Sequence, residues 1–495
     1  MAEASIPWYR QLNRYHWFVL IVAALGWMFD CLDQQLFILA RPAAMADLLP
    51  PQSDPVVAKQ LVGQYGAYAT SIFMVGWALG GVIFGVLGDR WGRAKVMMIT
   101  ILMYSLFTGL SSLSQGFWDF ATYRFLTGLG VGGEFAVGVA LVAEVMPSSA
   151  RPRALAFLQA LSAVGNVSAA FINLGLGIAA EEGLVESPWR IMFLIGALPA
   201  LLAIIVRWRL KEPERWKQAA QAADGEKRLG SYTELFQNPV TRKHALLGLV
   251  LACSGVIGLW AVGFFTPDLI RSVQAPHMRV QVIQEMLGSA RLENEPERVA
   301  ILESMLDAPS SASAASTAPG PLLSEISNDV ERVTGGRLTR WQSYTALMIN
   351  VGAFFGMFSF GGVAERIGRK PAFAIALLAA FASTAAVFYF LEHFWQIFVL
   401  VPLMGFCQLS LFAGYAIYFP ELFPTRLRST GTSFCYNVGR FVAAIGPLIQ
   451  ARLIATFAHS DNALRSAGLV MCSVFLVGLL VLPFLPETKG KPLPE

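Results

Sequence analysis

Asp30 and Asp33 stand inside a long apolar run near the start of the chain. Spaced i and i+3, they share one face of a helix. A carboxyl in such surroundings is a candidate for gaining and losing protons, because an apolar medium disfavours its charge. Their natural partner is Arg124, in a later apolar run. Glu134 lies ten residues further along that run. It reads as a second proton acceptor, a substrate-facing group, or a protonated acid that bonds two helices. Arg440, in Asn437-Val438-Gly439-Arg440, is about 11 residues from the end of its run and so roughly 16 Å deep. An unpaired guanidinium at that depth is costly. It either meets a substrate carboxylate bidentately or pairs with an acid across a cavity. Arg440 is the main reason to favour an anionic substrate over a neutral sugar. Gln34, Gln35, Asn166, Trp260, Asn350, Gln408, Tyr415 and Tyr436 are polar or aromatic groups in the same kind of run. Some should line a cavity, since binding sites set a few polar anchors in apolar walls. Each also fits plain helix packing.

The elements that must position these residues are membrane helices. Of 495 residues 55% are hydrophobic and 14% charged, and the mean hydropathy is +0.54. Soluble domains carry roughly 25% charged residues. The chain therefore reads as an all-α, multi-pass membrane protein. Runs long enough to span a bilayer fall near 17–40, 64–87, 95–114, 119–145, 154–178, 190–208, 245–266, 341–363, 371–391, 395–419, 430–453 and 465–485, giving twelve transmembrane helices.

Between two of these runs lies Gly88-Asp89-Arg90-Trp91-Gly92-Arg93-Ala94-Lys95, and the second half repeats it as Ala364-Glu365-Arg366-Ile367-Gly368-Arg369-Lys370. Such charge density belongs in tight loops at a membrane surface. Two further motifs repeat in the same order. Ala143-Glu144-Val145-Met146-Pro147 with Arg151 recurs as Pro420-Glu421-Leu422-Phe423-Pro424 with Arg428, and Lys211-Glu212-Pro213-Glu214-Arg215 is echoed by Leu485-Pro486-Glu487-Thr488-Lys489. An ordered repeat of three motifs means two similar halves. The expected layout is a six-helix bundle over 1–208, a charged linker over 209–243, and a second bundle over 244–495 that carries an insertion at 267–340.

Lys and Arg concentrate in the loops that hold these motifs, which places those loops and both termini on the cytoplasmic side. The acids Asp89, Glu144, Glu365 and Glu421 stand among the basic residues Arg93, Arg151, Arg369 and Arg428. Topology explains the basic residues but not the repeated acids, and exposed pairs at helix ends suit a gate. In the insertion, Val280–Leu287 and Arg298–Leu306 have helical periodicity, which predicts short amphipathic helices over the outer face. Ser310–Pro321 reads as a flexible linker. The five cysteines lie in apolar runs as small buried hydrophobes. Gly128-x-Gly130-x-x-Gly133 matches a dinucleotide fingerprint, but it lies within an apolar run with no strand before it. Close helix packing explains it. No nucleophile–base pair, metal cluster or phosphate loop is visible, so neither an enzyme nor a cofactor is expected. The mild net charge of +4 gives no reason to expect nucleic acid.

At these motifs the chain resembles the major facilitator superfamily, within the branch of sugar porters and organic-acid (metabolite):proton symporters. The resemblance rests on the Gly88–Lys95 loop, on Arg124-Phe125-Leu126-Thr127-Gly128-Leu129-Gly130-Val131-Gly132-Gly133-Glu134, on the Glu144/Pro147/Arg151 loop and on Pro486-Glu487-Thr488-Lys489-Gly490. Asp30-Cys31-Leu32-Asp33 is similar to the Asp-Gly-(Phe/Tyr)-Asp of organic-acid symporters, with Cys-Leu in place of the usual middle pair. The resemblance implies two pseudo-symmetric six-helix bundles that rock about a central site. It implies an Asp33–Arg124 pair that protonation breaks, and loop salt bridges that form when the protein opens outward. The expected function is proton-coupled symport of a small organic anion by a monomer in the plasma membrane, with protons and the small molecule as partners. A sugar or polyol porter is the alternative. A non-transporting sensor that signals through 209–243 is a third reading.

Overall fold

The computed structural model describes residues 7–50, 55–181, 184, 185, 187–222, 229–263, 266–307, 321–443, 449, 452, 453, 456, 457 and 462–494. Within them the chain is helical. Ten described helices are long and apolar enough to cross a membrane. The first half contributes α1 (Arg14–Leu48), α2 (Pro55–Trp91), α3 (Arg93–Ser111), α4 (Phe117–Val145), α5 (Arg151–Glu181), α6 (Pro188–Ile195) and α7 (Ala200–Arg209). Short helices α8 (Glu214–Ala222) and α9 (Tyr232–Gln237) follow. The second half has α10 (Pro239–Ile257), α11 (Thr266–Leu292), α12 (Pro296–Asp307), α13 (Pro321–Ile367), α14 (Arg369–Phe390), α15 (Ile397–Leu422), α16 (Arg428–Ser433), α17 (Gly439–Ala443), α18 (Ala463–Met471) and α19 (Val474–Val481).

Three of the expected spans are broken. That at 465–485 divides into α18 and α19 at Cys472 and Ser473. That at 190–208 divides into α6 and α7 around Gly196 and Pro199. That at 430–453 starts as α16, passes through a π turn at Phe434–Val438 and continues as α17. The π turn matters because its extra residue re-aims the side chains that follow it, among them Arg440. A second π turn, Gly258–Val262, carries Trp260.

Glycine sets the spacing of α2 and α4. A Cβ at Gly76 or Gly80 would strike the backbone of Phe125 or Leu129, and one at Gly128 or Gly132 would strike the backbone at Phe73 or Trp77. The glycine fingerprint is thus a helix-packing surface. Close approach brings Trp77 of α2 to the middle of the protein.

The insertion differs from its expectation. Val280–Leu287 is not a separate helix but part of the 27-residue α11. Helix α13 runs for 47 residues, roughly 70 Å at 1.5 Å per residue, about twice a bilayer core. Together with α12, which covers Arg298–Leu306, these helices bury Met278, Val282, Ile283, Leu287, Leu302, Ile326 and Val330 against one another. The apolar stripes face each other, so the insertion stands as a small helical extension on the face opposite the basic loops. Of the Ser310–Pro321 stretch, Pro321 begins α13 and the rest lies outside the described residues.

The repeat is visible in three dimensions. Gly92 and Gly368 start α3 and α14 with φ of 106° and 102°, a conformation that glycine adopts without strain. Glu212 accepts from the Ala94 and Lys95 amides, and Glu487 from the Arg369 and Lys370 amides. Each carboxylate thereby satisfies free N–H groups at a helix start.

Candidate functional site

Two buried charge centres lie side by side between α1, α3, α4 and the broken α16–α17 span. Asp33 and Arg124 form the first. Arg124 Nη1 lies 3.6 Å from Asp33 Oδ2. Thr108 of α3 donates to Asp33 Oδ1 at 2.6 Å. The Arg124 guanidinium also donates to Ser111 (2.9 Å), Thr108 (3.1 Å) and Thr127 (3.0 Å). Phe193, Phe37 and Phe120 surround it at 4.7, 5.6 and 6.0 Å, close enough for cation–π attraction. Both side chains are fully buried.

Asp30, Glu134 and Arg440 form the second centre. All three are buried. Arg440 Nη1 donates to Asn437 at 2.7 Å. Its guanidinium lies 4.0 Å from the Trp77 ring and 4.3 Å from the Tyr436 ring. Tyr436 in turn stacks on Phe135 at 4.2 Å, and Trp77 meets Trp260 edge-on at 6.2 Å. Arg440 Nε has no protein acceptor, and no described carboxylate reaches ion-pair distance of it. Asp30 lies near enough for each to feel the other's charge.

The other candidates separate into groups. Gln34 and Gln35 are half-buried on α1, beside the two acids. Asn166 donates to Asn350 at 2.9 Å, tying α5 to α13 between the halves. Gln408 donates to Thr384 at 2.6 Å and leaves its carbonyl oxygen without a donor. Tyr415 spends its hydroxyl on the Leu251 carbonyl at 2.9 Å and stacks on Phe419 and Phe373 inside the second half. Its ring also meets Tyr436 edge-on at 6.5 Å, behind the ring that flanks Arg440.

The charged loops meet at the basic face. Asp89 pairs with Arg93 at 2.8 Å. It also accepts from the Ser429 and Thr430 amides and the Thr430 hydroxyl at 3.2, 2.8 and 2.7 Å. Glu144 Oε1 takes Arg93 at 3.1 Å and Arg428 at 2.8 Å. Arg369 grips Glu421 through two nitrogens, at 3.1 and 2.8 Å. Arg151 and Arg428 each donate from Nε to a helix-end carbonyl, Ala143 at 2.8 Å and Pro420 at 3.2 Å. Glu365 pairs with Arg153 at 2.7 Å. The expectation of exposed pairs fails for most of these. Asp89, Arg93, Glu144 and Arg428 are fully buried, because the halves close over them. The basic face is shut.

Several contributors are absent from the sequence reading. Trp77 was hidden among packing glycines, and Arg153 read as a topology charge. Asn437 was only a neighbour of Arg440. Thr108 and Ser111 are small hydroxyls with no distinguishing pattern. Among the described residues no group of three or more His, Cys, Asp or Glu could hold a metal ion.

A sequence model of the Major Facilitator Superfamily matches residues 17–281 and 311–495. The chain belongs to the Major Facilitator Superfamily. It is a multi-pass membrane transporter, not an enzyme. The unmatched gap falls within the α11–α13 extension. A putative metabolite transport protein of Haemophilus influenzae is 27% identical over 98% of this chain and 99% of its own length. A probable 4-methylmuconolactone transporter of Cupriavidus pinatubonensis is 26% identical over 94% of this chain and 89% of its own. The structure of the proton:xylose symporter XylE bound to 6-bromo-6-deoxy-D-glucose matches with a TM-score of 0.67 at 17% identity, over 97% of this chain and 98% of that one. At that identity the likeness is one of fold, and the fold is that of a major facilitator.

Proposed function

We propose that this transporter is a proton-coupled symporter for a small organic anion, working by alternating access between a 1–208 bundle and a 244–495 bundle joined by the 209–243 linker. It acts as a monomer in the plasma membrane, with both termini cytoplasmic. The observation that carries the anion is Arg440. Its charge is buried, braced by Asn437 and two aromatic rings, and left with an open Nε and no ion pair. A buried guanidinium in that state gains most from a carboxylate. The names of two relatives support this reading: the Cupriavidus protein is described as a probable 4-methylmuconolactone transporter and another, from Escherichia coli, as a sialic acid transporter. The basic loops set the orientation, and the shut basic face fits the outward-facing half of the cycle.

A sugar or polyol porter is the second reading. Trp77, Trp260 and Tyr436 supply aromatic faces at the same place, and such faces also stack on sugar rings. Proteoliposome uptake under an inward proton gradient, with a mixed panel of radiolabelled carboxylates and sugars, separates the two. The expected result is accumulation of an acid that collapses when the gradient is removed and is lost in Arg440→Ala. Equilibration of a sugar, indifferent to the gradient, overturns the anion reading.

A further inference from the structure

The two acidic centres are not equivalent, and their difference bears on where the transported proton sits. Arg124 holds Asp33 in a closed arrangement of three hydroxyls and three rings. Protonating Asp33 would leave a buried guanidinium with no counter-charge, an expensive state.

The Asp30–Glu134 contact is built otherwise. Glu134 reaches from α4 to α1, where its carboxyl rests against Gly26, a place that any Cβ would occupy. Gly26 and Asp30 are one turn apart on α1, so the carboxyl ends beside Asp30. With both acids ionised, none of their four oxygens has a donor. With one proton between them, the two carboxyls hydrogen-bond to each other. The second state pairs one oxygen of each carboxyl and removes one of the two buried charges, so it is favoured over the first. The charged and titratable groups around the dyad are Asp33 and Cys31 on its own helix, Tyr104 on α3, and Arg440 with Tyr436 beyond it. Arg440 is the one cation among these that faces Asp30.

We propose that Asp30 and Glu134 share one proton in the resting carrier, and that this dyad, rather than the Asp33–Arg124 pair, takes up the transported proton. The inference rests on the anion reading for its coupling step. Singly protonated, the dyad carries one negative charge, which Arg440 balances. A substrate carboxylate that docks on Arg440 claims that charge. The dyad is then an uncompensated buried anion, and it takes a second proton from the same outer solution. One anion and one proton cross together, and both are released when the carrier opens inward. Asp33–Arg124 is a fixed brace between α1 and α4. Gly26 is a positioning residue, acting through Glu134.

Infrared difference spectra of the reconstituted protein across a rise in pH test this without substrate. The expected result is a protonated-carboxyl C=O band that disappears on titration in the wild type and in Asp33→Asn. The band should be missing from both Asp30→Asn and Glu134→Gln, because either amide can donate to the remaining carboxylate and remove the need for a proton. Gly26→Ala, which pushes the carboxyls apart, should shift the band. Survival of the band in either single variant, or its loss in Asp33→Asn, overturns the dyad. A substrate panel with no transported acid would overturn the anion reading and leave the infrared result to decide the dyad alone.

Discussion

Asp89 and Glu365 occupy matching positions in the two repeats, and each points across the seam between the halves. Asp89 is fully buried and meets the start of α16 with a backbone cap, a hydroxyl bond and the Arg93 pair. Glu365 is about a third exposed and meets α5 through the single side chain of Arg153. Their acidic companions differ in the same direction. Glu144 gathers one arginine from each half onto one oxygen. Glu421 binds Arg369 of its own half and the Thr488 hydroxyl of the C-terminal tail, and Arg151, the counterpart of Arg428, makes no ion pair among the described residues. One repeat therefore joins the two halves at the basic face through buried contacts, while the other uses the same motif mainly within its own bundle; if the first is a lock, breaking it should loosen that face. The charged contacts of the α2–α16 seam are buried. The α5–α13 seam packs closely, with Gly361 against Pro152 and Ala156, but its Arg153–Glu365 ion pair is partly exposed.

Glu144→Ala should break that asymmetry most severely. It leaves Arg428 as a buried charge without an ion pair and Arg93 with Asp89 alone, and removing one partner from a buried pair costs about 3–5 kcal/mol. A large fall in the unfolding midpoint in detergent is expected, with faster amide exchange in α2 and α16. Unchanged exchange there would mean that Glu144 is not the lock. Asp89→Ala should come next. It removes the cap on Ser429 and Thr430, about 1 kcal/mol for a helix cap, and unpairs one side of Arg93. Exchange should rise at the start of α16 and stay as it is at the start of α5.

Much of this was legible in the sequence, for a definite reason. Charged motifs between apolar runs can only be surface loops, so the repeat and the helical class follow from composition and order. Asp33 and Arg124 were found because a charge inside an apolar run is conspicuous. Burial of the loop pairs was not legible. Asp89 and Glu365 look alike in sequence, and only the closure of one half on the other buries one and leaves the other partly exposed. Trp77 was missed because a tryptophan in an apolar helix has no polar signature, and its value comes from an arginine in the other half. Tyr415 and Gln408 drew notice as polar groups in spans, yet partners within the second half hold them. The shape of the insertion is not legible, because periodicity marks an apolar stripe without saying that its helix continues from the span.

The echoed carboxylates Glu212 and Glu487 sharpen the comparison through pH. Burial pushes Glu487 up, but the amides of Arg369, Lys370, Lys489 and Thr488 outweigh it and hold the carboxyl below the usual glutamate value. An acid held low in the folded state adds stability that is present above its unfolded value and is lost as pH falls through the folded one. The wild type should therefore unfold at a higher temperature than Glu487→Gln near neutrality. That lead should shrink as pH drops below the ordinary carboxylate range. A lead that is constant with pH would mean that the Glu487 charge is not what the α14 start requires.

The smallest effect should come from the Arg153–Glu365 pair. Arg153 and Glu365 are each about a third exposed, and exposed pairs contribute roughly 0–1 kcal/mol. Arg153→Ala should barely move the unfolding midpoint, and what change there is should vanish at high salt, where the Debye length shortens to about 3 Å at 1 M. The same substitution is a fair test of the lock. If opening of the basic face is governed by the α2–α16 seam, Arg153→Ala leaves exchange in α16 at its wild-type rate. If exchange in α16 accelerates as much as it does in Asp89→Ala, the two seams open as one unit, and the difference in burial between Asp89 and Glu365 does not set the order in which they part.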